Sequence, residues 1–186
     1  MSKKKQDNFI RNAAGDYVYR GKYLKYDVQN PLPYRQYKAA VTLSSMLLAA
    51  AVIGAGACNA PGFEADPNAL GFAISSRVIM TSAITILYWI AIGCMLLCCW
   101  FAGRIAKAGN PIKELEWNAN GGPLKIVLLV LPGVCAVLAA VYLINLRELD
   151  PQTYNMFSAV SFTAFLAVAS IDALMLRSVI KNNIWK

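Results

Sequence analysis

The residue of this chain best placed for chemistry is Asp172. It is the only acidic residue inside any of the four long apolar stretches of the sequence. A carboxylate within a membrane span is expensive, and by default it is a functional hypothesis. Asp172 lies about five residues from the end of its stretch, with Arg177 five positions on and Ser170 close by. Lys125 and Arg104 enter from the same side. Two readings follow: a helix-end carboxylate paired to a snorkelling base, or a proton or cation site. The five cysteines come next. Cys94 and Cys98 share a helix face, four residues apart, with Cys99 adjacent. A quinone-linked thiol relay would want a Cys-x-x-Cys pair near the outer surface, and a zinc site would want a second cluster or a histidine. Neither pattern occurs, so the cysteines read as small apolar packing residues. The chain has no histidine at all, which removes imidazole base catalysis and the common nucleophile triads. The expectation is a protein that is not an enzyme and holds no cofactor or metal.

The elements that position these residues follow from composition. Hydrophobic residues make up 58% of 186, and charged residues 15%. A soluble chain of this size could not hide that much apolar surface. A bilayer core of about 30 Å needs about 20 apolar residues as a helix. Four stretches qualify: Ala39 to Ala57, Val78 to Phe101, Leu124 to Leu146 and Phe157 to Leu176. The first begins too late for a cleaved signal peptide and is read as a retained helix. The fold class is therefore all-α: a four-helix transmembrane bundle with a short cytosolic N-terminal β-hairpin. Residues 1–38 form the cytosolic N-terminal segment, 39–176 the four-span domain and 177–186 a cytosolic tail.

Charge sets the orientation. Sixteen of the eighteen basic residues fall before the first stretch, between the second and third, or after the fourth. Arg77 and Arg147 alone lie on the other side, together with Glu64, Asp66, Glu148 and Asp150. The positive-inside rule then puts both termini in the cytoplasm of a multi-pass protein of the cell membrane. The net charge of +8 belongs to that asymmetry and to attraction for anionic headgroups on the cytosolic side, not to nucleic acid.

Between Asp16 and Asp27 the chain is rich in aromatic and β-branched residues, with Gly21 between two such runs. Asn12-Ala13-Ala14-Gly15-Asp16 offers an earlier turn, and the segment predicts a short hairpin turning at one of the two. Two strands alone are marginal in water, so the hairpin must lean on the cytosolic helix ends, the lipid headgroups or another protein, and Tyr17, Tyr19, Tyr23 and Tyr26 are candidates for docking onto a partner. In the first stretch Ala50 and Gly54 are four apart, as are Ala51 and Ala55. In lipid such spacing lets helix backbones approach closely, within the bundle or against a partner's helix. Asn110-Pro111 and Asn120-Gly121-Gly122-Pro123 read as turns, with about two surface helical turns between them, and Pro132-Gly133 interrupts the third stretch.

The segment Asp16 to Asp27, followed by Cys58-Asn59-Ala60-Pro61-Gly62, resembles uncharacterised four-span bacterial proteins associated with transporter gene clusters. The resemblance covers those two stretches and carries no catalytic residue. It implies a role beside a transporter. The expectation is a non-catalytic accessory or assembly subunit of a larger membrane complex, with a larger integral membrane protein as partner. The alternative is a self-contained oligomeric transporter or channel for a small solute or ion, using Asp172.

Overall fold

The computed structural model describes residues 9–12, 16–58, 82–147 and 156–186. The lysine-rich start, the stretch from Asn59 to Thr81 and the turn around Asp150-Pro151 lie outside the described residues, and so does the Asn59-Ala60-Pro61-Gly62 part of the motif. Four helices dominate: α1 (Tyr34–Cys58), α2 (Ser82–Lys107), α3 (Glu114–Arg147) and α4 (Met156–Asn182). Each is long and apolar enough to cross a membrane. They pack as a ring, with α1 against α2 and α4, and α3 against α2 and α4.

Two boundaries differ from the sequence expectation. The third helix starts at Glu114, ten residues early, and runs straight through Asn120-Gly121-Gly122-Pro123. No turn forms there. Glu114 and Glu116 stand in the first turn, where carboxylates favour a helix. Pro123 lacks an N–H to bond back, but Pro and Gly are tolerated in membrane helices where neighbours re-satisfy the backbone. At 34 residues α3 is about 51 Å long, more than the hydrocarbon core needs, so one end stands in the headgroup layer. The fourth helix likewise continues to Asn182, past the end of the fourth apolar stretch at Leu176.

The inside of the ring is filled by large apolar side chains: Leu48 of α1, Ile105 of α2, Leu128 and Leu138 of α3, and Phe162 and Leu166 of α4, all fully buried. The outside is apolar as well, with Leu43, Ile53, Trp89, Ile126, Leu143 and Ile171 all more than half exposed or close to it. A helix bundle apolar on both faces belongs in lipid, where the outer face needs no water.

The β-structure is present but differently paired. β1 (Phe9–Arg11) and β2 (Tyr17–Tyr19) form the hairpin, antiparallel, with Phe9 opposite Tyr19 and Ile10 opposite Val18. The turn is closed by Asn12, whose N–H donates to the Asp16 carbonyl at 2.8 Å and whose Oδ1 accepts from the Asp16 N–H at 2.8 Å. Gly21 is not the hairpin turn. It lies beneath the Tyr19 ring, which leaves no room for a side chain. The second aromatic run leaves the hairpin. β3 (Tyr23–Leu24) pairs instead with β4 (Ile112–Lys113) from the α2–α3 connection.

Candidate functional site

Beyond β3 the chain continues as an extended run that meets the C-terminus. The Lys25 N–H donates to the Lys186 carbonyl at 2.6 Å and the Lys186 N–H returns to Lys25 at 2.9 Å. Tyr26 bridges to Trp185 between them. Asn30 clamps the same strand, donating to the Ile184 carbonyl at 2.9 Å and accepting from its N–H at 2.8 Å. From the α2–α3 connection, Asn110 Oδ1 accepts the Tyr26 N–H at 3.0 Å, and the Ala108 carbonyl accepts the Tyr34 hydroxyl at 2.8 Å. Three segments far apart in sequence are thus tied into one cap over the basic end of the bundle.

An aromatic cluster fills the cap. Tyr26 packs against Tyr34, Tyr37 and Trp185 at 5.2 to 5.4 Å between ring centres, and Trp185 lies 5.4 Å from Trp117 of α3. The Tyr26 hydroxyl donates into Asn183 Oδ1 at 2.6 Å, with the Leu32 carbonyl a second acceptor at 2.9 Å. Burial raises the Tyr26 phenol above its ordinary pKa, while a side-chain hydrogen bond to Asn30 pulls the other way. Lys186 forms an ion pair with Asp27. That ammonium, followed by the Gln29 N–H, holds the Asp27 carboxyl below the usual aspartate range.

The four tyrosines of the proposed docking face divide in two. Tyr26 is spent inside the cap. Tyr19 is also turned inward, between Phe9 and Tyr23 at 5.4 and 5.3 Å, with the Lys113 ammonium over its ring. Tyr17 is 74% exposed and Tyr23 47% exposed. Alternation does not separate Tyr17 from Tyr19, which stand on the same side of β2; the split arises because Tyr19 has the Phe9 and Tyr23 rings to pack between. The small residues of α1 also divide. Ala51 and Ala55 are buried, and Gly54 lies against the Phe165 ring of α4, where an added Cβ would sit 2.9 Å from the nearest ring atom. Ala50 faces outward. Gly56, next to the two spaced pairs, lies under Tyr88 of α2, and the Tyr88 hydroxyl donates to the Val52 carbonyl at 2.9 Å.

Asp172 is buried between α4 and α1, 6% exposed. The expected pairing with a base does not form. Arg177 is five residues on, about 140° round the helix, and so on another face. Lys125 reaches Trp117, and Arg104 lines a cavity described below. Among the described residues Asp27 and Lys186 form the ion pair. The polar neighbour of Asp172 is Ser44 of α1, and its Oδ2 has no hydrogen-bond partner. Cys98 and Cys135 are buried, Cys94 and Cys99 partly so, and all four are free thiols. The Cys99 thiol points to the Ser45 carbonyl at 3.5 Å. Among the described residues no group of three metal-ligating side chains comes together.

No family model, curated protein or solved structure matches this chain. The reading of its function therefore rests on the residues themselves.

Between α2, β4 and the start of α3 lies a cavity of about 250 Å³, lined by Arg104, Lys107, Ala108, Ile112, Glu116 and Asn120. Asn120 is buried, and its Nδ2 donates to the Glu116 carbonyl at 2.6 Å. Sequence reasoning missed both the cavity and the cap. The available signals were slight: a tryptophan in a segment read as a tail, and asparagines on three separate segments of the basic end.

Proposed function

We propose that the chain is a non-catalytic accessory or assembly subunit of a larger membrane complex, a transporter being the first candidate. In this reading it sits in the cell membrane with both termini in the cytoplasm. The observation that carries the reading is the apolar surface the hairpin leaves exposed. Val18 and its cross-strand partner Ile10 are exposed on one face of the two-stranded sheet, and Tyr17 is exposed on the other. Exposed apolar patches on small elements mark interaction surfaces, and an open strand edge accepts a further strand. The cap supports the reading from beneath. It fixes the point where β3 leaves the bundle, so the hairpin is presented from an anchored base.

Mild-detergent purification tests this. The tagged protein is expected to bring a larger integral membrane protein in a fixed ratio. The ratio should fall when Tyr17 and Val18 are both replaced by serine, a change that leaves the cap residues untouched. A homo-oligomer with nothing larger attached would overturn the proposal.

The unpartnered carboxylate oxygen of Asp172 favours a second reading, a self-contained carrier. Reconstituted into vesicles, such a protein would support proton- or cation-driven flux, and Asp172→Asn would abolish it with assembly intact.

A further inference from the structure

We propose that the cavity at the basic end binds the phosphodiester of a membrane phospholipid, with an acyl chain lying along the outer face of α2. The inference goes beyond the subunit reading and needs only that the bundle lies in a bilayer.

Three observations carry it. The first is charge. Arg104 and Lys107 line one cavity, one turn apart at the end of α2, and both are exposed. Neither forms an ion pair among the described residues. Opposite them Asn120, held by its bond to the Glu116 carbonyl, presents a buried amide wall. Arginine and lysine together bind phosphate oxygens, arginine by its fork and lysine as a point charge.

The second is the negative group. Glu116 lines the same cavity, so its formal charge is +1. Multiply charged phosphates are poorly suited to that balance, and a singly charged phosphodiester suits it well. About 250 Å³ is below the usual range of small-molecule pockets and matches a single phosphate group better than a whole nucleotide.

The third is position. Lys107 ends the α2 span, which places the cavity where phospholipid phosphates lie. Leu97, Trp100 and Arg104 follow at spacings of three and four, on one side of α2. Leu97 is 47% and Trp100 64% exposed. An apolar lane therefore runs from the cavity toward the bilayer centre, with Trp100 at the interface. A free phosphate would use only the cavity, whereas a phospholipid would use both.

The test is native mass spectrometry of the full chain in mild detergent, titrated with short-chain phosphatidylglycerol. One discrete bound lipid is expected at low lipid. Arg104→Gln with Lys107→Gln should weaken it about tenfold or more, as for loss of charge-assisted hydrogen bonds. The comparison variant, Arg177→Gln with Lys181→Gln, removes the same charge at the same end outside the cavity and should leave it within about twofold. Trp100→Ser should weaken the lipid and not inorganic phosphate. Equal loss in both charge variants would overturn the proposal in favour of diffuse attraction. Full displacement of the lipid by millimolar inorganic phosphate would overturn it in favour of a phosphate site. Absence of a discrete lipid adduct would overturn it outright. None of these outcomes bears on whether a larger subunit co-purifies.

Discussion

Asp172 and Asn183 are buried polar side chains on the same stretch of chain, eleven residues apart, and they are treated in opposite ways. Asn183 lies in the cap and is satisfied at both ends: its Oδ1 accepts the Tyr26 hydroxyl and its Nδ2 donates to the Val179 carbonyl at 2.7 Å. Asp172 lies inside the bundle with Ser44 as neighbour and one oxygen unpartnered. The difference reflects what holds each region. The bundle is held by apolar and small-residue packing and has few polar atoms to offer. The cap is held by hydrogen bonds and rings drawn from three distant segments. A polar group has more partners to draw on in the second setting, although the Tyr37 hydroxyl and Trp185 Nε1 are unpartnered there as well.

If the cap is a single cooperative unit, breaking its centre should have the largest effect of any single change outside the spans. Trp185 touches Tyr26, Tyr34, Tyr37 and Trp117. Trp185→Ala should cost about 3–5 kcal/mol of cap stability, as for other buried tryptophans. The residues that pair with the C-terminus should become protease-sensitive while helix content stays. Loss of helix content in step with protection would mean that cap and bundle unfold together.

The comparison sharpens with the two polar residues themselves. Asn183→Ala removes the best acceptor of the Tyr26 hydroxyl and should cost about 1–3 kcal/mol. Asp172→Asn should be neutral or stabilising by up to about 1 kcal/mol, since it keeps an acceptor for Ser44 and removes a charge with no base opposite. Chemical denaturation in one detergent ranks the pair. A large loss for Asp172→Asn would mean that the carboxylate has a stabilising partner in the membrane.

Within the bundle, the contrast is between two glycines of α1. Gly56→Ala displaces the Tyr88 hydroxyl from its bond to Val52, and about 1 kcal/mol is expected. Gly54→Ala meets the Phe165 ring, which is 37% exposed and free to swing outward, so a smaller loss follows. Thermal unfolding of the two variants gives the order, and a reversed order would show Phe165 to be fixed.

Bundle and cap also differ in how far the sequence revealed them. The four spans were legible because apolar length is a local property, and each predicted stretch overlaps a helix long enough to cross. The start of α3 was not. Gly121-Gly122-Pro123 has the local chemistry of a turn, and what keeps it helical is its setting. The hairpin was legible in kind but not in pairing. Phe9 to Arg11 gave little pattern of its own, and the strand that takes up Tyr23 and Leu24 lies some ninety residues further on. Tyr26 was read as facing a partner because nothing local indicates that Trp185 returns to cover it. The expected base for Asp172 failed for a simpler reason: five residues along a helix is the wrong face.

The smallest expected effect is at the rim of the cap, and it depends on pH. The Lys186 ammonium holds the Asp27 carboxyl below its ordinary value, so the folded cap binds this proton more weakly than the unfolded chain does. The stabilisation is then fully present above the ordinary aspartate pKa of about 4 and is lost as pH falls through the lowered folded value. Both groups reach water, so salt should weaken the effect as acid does. Release of the C-terminus can be followed by a fluorophore on a cysteine placed at the end of the chain. Between pH 5 and pH 2, roughly, the wild type should loosen, while Asp27→Asn should start looser and change less. Equal acid sensitivity in both proteins would show that the cap is anchored by Asn30, Asn183 and the strand pairing alone, and that the ion pair only decorates its edge.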